Sequence, residues 1–251
     1  MKTKILSLPE LQLAAMFHVK HSADNGGMDY DVSRETSASP TFVVVAGGRA
    51  PKAEWLKAVS AKYAVYAADR GAACCLAAGI VPVELYGDCD STTNEIYREA
   101  ERSGTQVKRF NTAKDDTDLQ LLLKNLPAGG DILATGIWGG RFDHLYSNVY
   151  TLLGEKKKRN CQVLMADEQE FMLLLTAGET AELNLQVEAE AISLLPLSAE
   201  TCVDFKGVRW PLEQAVLKQL YPYAISNEAQ AEKICCTCHA GALGLYIKFN
   251  C

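Results

Sequence analysis

The residues best suited to chemistry in this chain are carboxylates gathered in short polar loops. Gly87-Asp88-Cys89-Asp90-Ser91 holds two aspartates two positions apart. In an extended chain both project to one side. Two carboxylates that close repel unless a cation sits between them. Hard oxygen donors with no histidine nearby suit Mg2+. The alternative is a loop whose aspartates cap a helix starting at Thr93. Lys114-Asp115-Asp116-Thr117-Asp118 brings three further aspartates to the start of another helix. Capping accounts for Asp115 or Asp116 but not for all three. With Asp88 and Asp90 they make a set able to hold Mg2+ against a polyphosphate.

Glycine-rich loops supply the other half of such a site. Gly47-Gly48-Arg49 follows an apolar run, and its glycines let backbone approach a phosphate with which Arg49 could pair. A tight turn is the plainer reading of that loop alone. Ala68-Asp69-Arg70-Gly71 opens a helix, and Gly136-Ile137-Trp138-Gly139-Gly140-Arg141-Phe142-Asp143-His144 leads into another. Arg141 at a helix start suits phosphate. Asp143 with Ser147, and His144 with Asn148, are four apart and share a face. The Walker-type phosphate loop and the Rossmann dinucleotide fingerprint are both absent from the sequence.

These loops need elements to hold them, and the hydrophobic pattern provides them. Strands are predicted at Thr41–Ala46, Tyr63–Ala67, Val83–Tyr86, Gln106–Phe110, Asp131–Thr135 and Cys161–Ala166. Helices are predicted at Pro51–Ala61, Gly71–Ala78, Thr93–Ser103, Thr117–Leu126 and Phe142–Lys157. This alternation implies parallel βαβ units, whose ligands bind at the carboxyl ends of the strands. After about Glu168 the helical period fades. Short strands are predicted at Glu170–Leu175, Glu179–Leu183, Ala191–Pro196, Thr201–Phe205, Lys233–Thr237 and Leu243–Lys248, with a helical turn or two at Leu212–Leu220. The expected fold is an N-terminal parallel-sheet α/β domain at 41–168 followed by a smaller all-β sandwich domain at 169–251. Residues 1–40 read as a flexible extension, because His18 to Pro40 is polar and poor in aliphatic residues.

Composition narrows the function. The chain has 251 residues, 48% hydrophobic and 22% charged, which excludes a collagen-like or wholly disordered chain. A net charge of −6 argues against a general nucleic-acid binder. No run approaches the roughly 18 apolar residues of a membrane span. Lys2 and Lys4 precede an apolar stretch, but Pro9, Glu10 and Gln12 interrupt it and no clean cleavage site follows. Nine cysteines, an odd number without framework spacing, read as reduced thiols in a cytoplasmic protein.

Taken in order, the motifs resemble the thiamine pyrophosphokinase (thiamin diphosphokinase) family. The matching pieces are Val45-Ala46-Gly47-Gly48, Asp69-x-Gly71, Gly87-Asp88-x-Asp90-Ser91, Asp115-x-Thr117-Asp118 and Gly139-Gly140-Arg141-x-Asp143-His144. Gly207-x-x-Trp210-Pro211-Leu212 and Ser226-Asn227-Glu228 follow in the second half. The resemblance spans about Thr41 to Lys248. It implies transfer of diphosphate from ATP to the hydroxyethyl oxygen of thiamine, releasing AMP. It also implies a homodimer whose site is completed across the subunit interface. Carried over, Asp88, Asp90 and Asp118 are the Mg2+ carboxylates. Gly47, Gly48, Asp69, Arg70, Gly71, Thr117, Gly139, Gly140 and Arg141 are nucleotide contacts. Trp210, Ser226 and Asn227 face thiamine. Asp118 and Asp143 are candidates to take the thiamine hydroxyl proton. Arg70 stands where many family members carry glycine, and a basic residue there is compatible with phosphate.

Two rival readings keep part of this picture. A hydroxymethylpterin diphosphokinase would use the same chemistry on another acceptor, but the Trp210 and Ser226-Asn227-Glu228 segment favours thiamine. A non-catalytic nucleotide- or thiamine-binding regulator would not need Asp88, Asp90 and Asp118 together. An ordinary kinase making ADP and a monophosphate is more remote. Cys235-Cys236-Thr237-Cys238-His239 invites a zinc reading, but it lacks a second ligand pair and a strand would point its thiols to opposite faces. Small buried thiols are the expectation there. The basic run Lys156 to Arg159 reads as a helix end rather than a nucleic-acid patch.

Overall fold

The computed structural model describes residues 18–21, 41–87, 94–110, 115–185 and 188–250. It divides into two compact units. One is Ser39–Glu168, and the other joins Gln169–Cys251 with the N-terminal segment, of which His18–His21 is described.

The unit Ser39–Glu168 is built on six parallel strands: β2 (Thr41–Val45), β3 (Ala64–Ala68), β4 (Glu84–Gly87), β5 (Gln106–Arg109), β6 (Asp131–Thr135) and β7 (Val163–Ala166). Their spatial order is β7-β6-β2-β3-β4-β5. Central strands are buried nearly throughout, as continuous apolar runs such as Phe42-Val43-Val44-Val45 require of a sheet covered on both faces. The chain adds β3, β4 and β5 on one side of β2, then returns to place β6 and β7 on the other. The carboxyl ends of β2 and β6 therefore flank the point where strand order reverses, the position at which open α/β sheets bind ligands.

Among the described residues five helices join these strands: α1 (Ala53–Ser60), α2 (Gly71–Ala77), α3 (Asn94–Arg102), α4 (Asp118–Asn125) and α5 (Phe142–Arg159). Helix α1 buries Trp55, Leu56 and Val59. Helix α4 buries Leu119, Leu122 and Leu123 and packs on β3 and β4. Helix α5 ends on Asn160 in the left-handed region, φ 51°, after a basic last turn that suits the helix dipole. Phe142 shares the helical period of the apolar face, yet it is 76% exposed. The deep part of the helix begins at Leu152, and Phe142 instead starts an aromatic row with Tyr146 and Tyr150.

The second unit holds two antiparallel sheets. One has the order β1 (His18–His21), β9 (Glu179–Asn184), β13 (Lys233–Ala240), β11 (Glu200–Lys206), β12 (Leu212–Lys218). The other pairs β10 (Ala189–Pro196), β14 (Ala242–Phe249) and β8 (Glu170–Thr176). Strands β8 and β14 pack on β9 and β13, which makes this unit a sandwich. The alternating burial of β9 and β11 is the mark of strands with one face inside. Cys236 and Cys238 lie buried on β13 while Cys235 is part-exposed. Burial raises the Cys236 thiol well above its ordinary pKa.

Two elements differ from the sequence reading. Leu212–Leu220 is not helical: Leu212–Lys218 is the edge strand β12, paired with β11. As an edge strand it buries little and shows no clean alternation, and Gln214 breaks its register at φ 46°. His18–His21 pairs with Glu182 to Glu179 as a sheet edge, in a segment whose composition gave no strand signal.

Candidate functional site

The loops at the carboxyl ends of β2 and β6 are bonded to each other. Ala46 N–H donates to Thr135 O at 2.8 Å, Gly48 N–H to Gly136 O at 2.7 Å and Arg49 N–H to Trp138 O at 2.5 Å. The contact is possible only without side chains. A Cβ on Gly48 would lie 2.6 Å from Gly136 O, and one on Gly136 would lie 2.2 Å from Ala46 O. Gly139 and Gly140 both have φ near +70°, at 69° and 68°, so the β6 loop turns back through conformations open to glycine. Trp138 is buried, so its ring packs inside the protein.

The loop after β3 reaches the same place. Asp69 is held at φ 50°, and its N–H donates to Tyr86 O at 2.8 Å. Its carboxylate lies against Gly47, where a Cβ would come within 3.3 Å of Oδ2. Gly71 begins α2 so close to β2 that a Cβ would lie 2.0 Å from Val45 O. Gly47, Gly48, Asp69, Arg70 and Gly71 thus share one end of the sheet with the Gly136–Arg141 loop. Arg70 is the exposed residue preceding α2.

Arg49 is tied down by a residue the motif reading did not contain. Its Nε and Nη2 both donate to Asp167 Oδ2, at 2.9 and 2.6 Å. Asp167 follows β7 directly, and its side chain is fully buried. Next to it, Glu168 accepts from Lys52 N–H at 3.0 Å, satisfying a free amide before α1. The only sequence signal for Asp167 is its position just past a parallel strand.

The carboxylate loops are described in part. Asp88 and Asp90 lie outside the described residues. The strand before them, β4, ends at Gly87, where a Cβ would collide with Tyr97 Oη. Thr117 is the N-cap of α4. Its hydroxyl accepts from Gln120 N–H at 3.2 Å, while Gln120 Oε1 accepts from Thr117 N–H at 2.8 Å. This capping box leaves Asp118 as the first residue of the helix. Asp115 and Asp116 do not cap: Asp116 pairs with Lys124 at 2.7 Å. Among the described residues no three acidic, histidine or cysteine side chains gather as a metal cage.

Arg141 and Asp143 meet at the start of α5. Nε donates to Oδ1 at 3.1 Å and Nη2 to Oδ2 at 2.5 Å. The guanidinium beside it, helped by His144 N–H, holds the Asp143 carboxyl below the usual carboxylate range.

In the second unit, Trp210 and Asn227 are joined and Ser226 adjoins them. Trp210 is 52% exposed, whereas Asn227 is buried. Ser226 sits at φ 57° and its N–H donates to Ser193 Oγ at 3.0 Å.

Comparison with known proteins identifies what this arrangement belongs to. Residues 56–165 match the family described as Thiamin pyrophosphokinase, catalytic domain, and residues 180–243 match Thiamin pyrophosphokinase, vitamin B1 binding domain. Thiamine pyrophosphokinase of Bacillus subtilis is 32% identical over 163 residues, covering 64% of this chain and 75% of that protein. The chain belongs to the thiamine pyrophosphokinase family. The crystal structure of thiamine pyrophosphokinase from Bacillus subtilis superimposes with a TM-score of 0.72 at 27% identity, covering 84% of this chain and all of that one. Yeast thiamin pyrophosphokinase, 12% identical, shares the fold with a TM-score of 0.67 over 93% of this chain and 98% of its own. Both the family resemblance and the fold class expected from the motifs are borne out, and the thiamine reading stands over its pterin and regulator rivals. As a family member the chain is read as an enzyme, a transferase of the kinase type. No helix among the described residues is long and apolar enough to cross a membrane.

Proposed function

We propose that this chain transfers the diphosphate of ATP to the hydroxyethyl oxygen of thiamine, giving thiamine diphosphate and AMP. The observation that carries the proposal is the pair of glycine loops bonded at the strand-order reversal, in a chain whose later residues match a vitamin B1 binding domain. In this reading 41–168 binds the nucleotide and 169–251 binds thiamine. The protein works in the cytoplasm as a homodimer whose site is completed at the subunit interface.

The thiamine oxygen attacks the β-phosphorus. The new bond is O–Pβ, the bond broken joins Pβ to the oxygen that leaves with AMP, and the hydroxyl proton passes to a base. Gly47, Gly48, Gly71, Gly139 and Gly140 present backbone close to the phosphates, in loops packed so closely that Gly48 and Gly71 have no room for a Cβ. Arg70 and Arg141 offset charge on the transferred oxygens. Asp143 is committed to Arg141, so we assign it to orient that guanidinium rather than to accept the proton. Asp118 starts α4, which packs on β4, and Asp88 follows Gly87 at the end of that strand. These carboxylates, with Asp90, are oxygen donors of the kind Mg2+ takes, and they are the residues that would hold it. When bound, the ion supplies charge neutralisation on the polyphosphate. Thiamine is taken by the Trp210, Ser226 and Asn227 segment.

Product analysis with ATP, Mg2+ and thiamine tests this. AMP and thiamine diphosphate are expected in equal amounts. ADP with thiamine monophosphate would overturn the reaction type, and thiamine binding without product would point to a regulator. Asp88→Ala is expected to abolish Mg2+-dependent turnover while the protein stays folded.

A further inference from the structure

Trp210 stands between β11 and β12 with about half of its surface open. An exposed indole on a turn would ordinarily sample several positions. This one is gripped through its backbone. Asn227 Oδ1 accepts from Trp210 N–H at 3.1 Å, and Asn227 Nδ2 donates to Trp210 O at 2.9 Å. The same Oδ1 accepts from Glu228 N–H at 2.9 Å. Both lone-pair directions of the carboxamide oxygen and one of its two N–H groups are therefore spent on protein backbone. Asn227 is only 6% exposed, and its own N–H and C=O bond to Ile192 of β10, at 2.7 and 2.9 Å. The clamp thus rests on the sandwich itself.

A second contact is made to the ring itself. The Arg209 guanidinium lies 4.8 Å from the Trp210 ring centroid, within cation–π range. Glu228 holds that guanidinium at 2.9 Å, and Arg209 N–H donates to Glu228 O at 2.9 Å. One face of the indole is covered by Arg209, while about half of the residue's surface stays open.

We infer that Asn227 is a positioning residue that acts on the substrate through Trp210, not a group that touches the substrate. It fixes the backbone that carries the indole, and with Arg209 against the ring the indole is set to receive a flat heteroaromatic ring. This rests on the reading of Trp210 as part of the thiamine site. A buried carboxamide already bonded to Trp210 and Glu228 has little left to offer a ligand. Holding the platform before binding removes the ordering cost from the binding step. The inference replaces the role that motif resemblance assigned to Asn227.

A double-mutant cycle separates the two roles, because effects that act through one shared group fail to multiply. Thiamine KM, ATP KM and kcat are measured for Trp210→Ala, Asn227→Ala and the double variant. Trp210→Ala is expected to raise thiamine KM about tenfold, the scale of one lost aromatic contact. Asn227→Ala should raise it by a similar factor, the double variant no further, and ATP KM should not change. Asn227→Asp keeps an accepting oxygen but sets a carboxylate oxygen against Trp210 O where Nδ2 had donated, so it should raise thiamine KM at least as much as Asn227→Ala. Should Asn227→Ala fail to fold, the cycle is run with Asn227→Asp. Single effects that multiply in the double variant would show direct contact and overturn the inference. Unchanged thiamine KM in both Asn227 variants would overturn it too. Unchanged thiamine KM in Trp210→Ala would instead remove the platform on which the inference stands.

Discussion

Arg49 and Asp167, 118 residues apart in sequence, are joined by two hydrogen bonds to a single carboxylate oxygen. The pair ties the loop after β2 to the end of β7, two strands away across β6. Its two members sit in different surroundings: the Asp167 side chain has no exposure, and that of Arg49 is 30% exposed. The consequences of removing each should therefore differ. Arg49→Ala takes the cation from a carboxylate that water cannot reach, and should cost about 2–3 kcal/mol. Asp167→Ala leaves a guanidinium that can hydrate, and should cost about 1 kcal/mol. Urea unfolding with matched m-values measures both, and an equal or reversed order would contradict the account.

Glycine replacements at the site should separate by what a Cβ would meet. At Gly71 it would sit 2.0 Å from Val45 O, so α2 and β2 must part to admit it. At Gly140 nothing lies within 4 Å, and only the φ of 68° is unfavourable. Gly71→Ala is expected to cost about 3 kcal/mol or more. Gly140→Ala should cost about 1 kcal/mol. Chemical denaturation of the two variants checks the difference.

The Thr117 hydroxyl caps α4 by accepting from Gln120 N–H. Thr117→Ala should destabilise the protein by about 1 kcal/mol, and Thr117→Ser should restore it. If Thr117→Ser is as unstable as Thr117→Ala, the hydroxyl is not what matters.

Arg141 lowers the pKa of Asp143. A carboxyl whose folded value is depressed contributes stability above its unfolded pKa and loses it as pH falls through the folded value. The NMR titration midpoint of Asp143 should therefore lie below the ordinary aspartate value of about 3.9. Arg141→Ala should move it up towards that value. Because Asp143 stays ionised at neutrality, Asp143→Asn should leave any acidic limb of the pH–rate profile where it was.

Most elements were legible because their burial is regular. Runs such as Val43-Val44-Val45 and the spaced leucines of α4 carry the period of the structure they form. The strand Leu212–Lys218 was hidden because an edge strand buries only Leu217 and bulges at Gln214. The strand His18–His21 was hidden because its pairing is with distant backbone, which composition does not encode. The glycine loops could be read because glycine has few other reasons to recur at strand ends. The partners of the motif residues could not. Nothing in the sequence says that Arg49 meets Asp167, that Thr117 rather than Asp115 or Asp116 caps α4, or that Asn227 bonds to Trp210 rather than facing outward. Such pairings are set by tertiary packing.

The most direct test of the proposed function follows phosphorus. ATP carrying 32P at the β position is supplied with thiamine and Mg2+, and the label is traced after a single turnover. If both phosphoryl groups move together, the label appears in thiamine diphosphate and the AMP is unlabelled. If the label remains in ADP, only the terminal phosphoryl group has moved, and diphosphate transfer by this chain is contradicted.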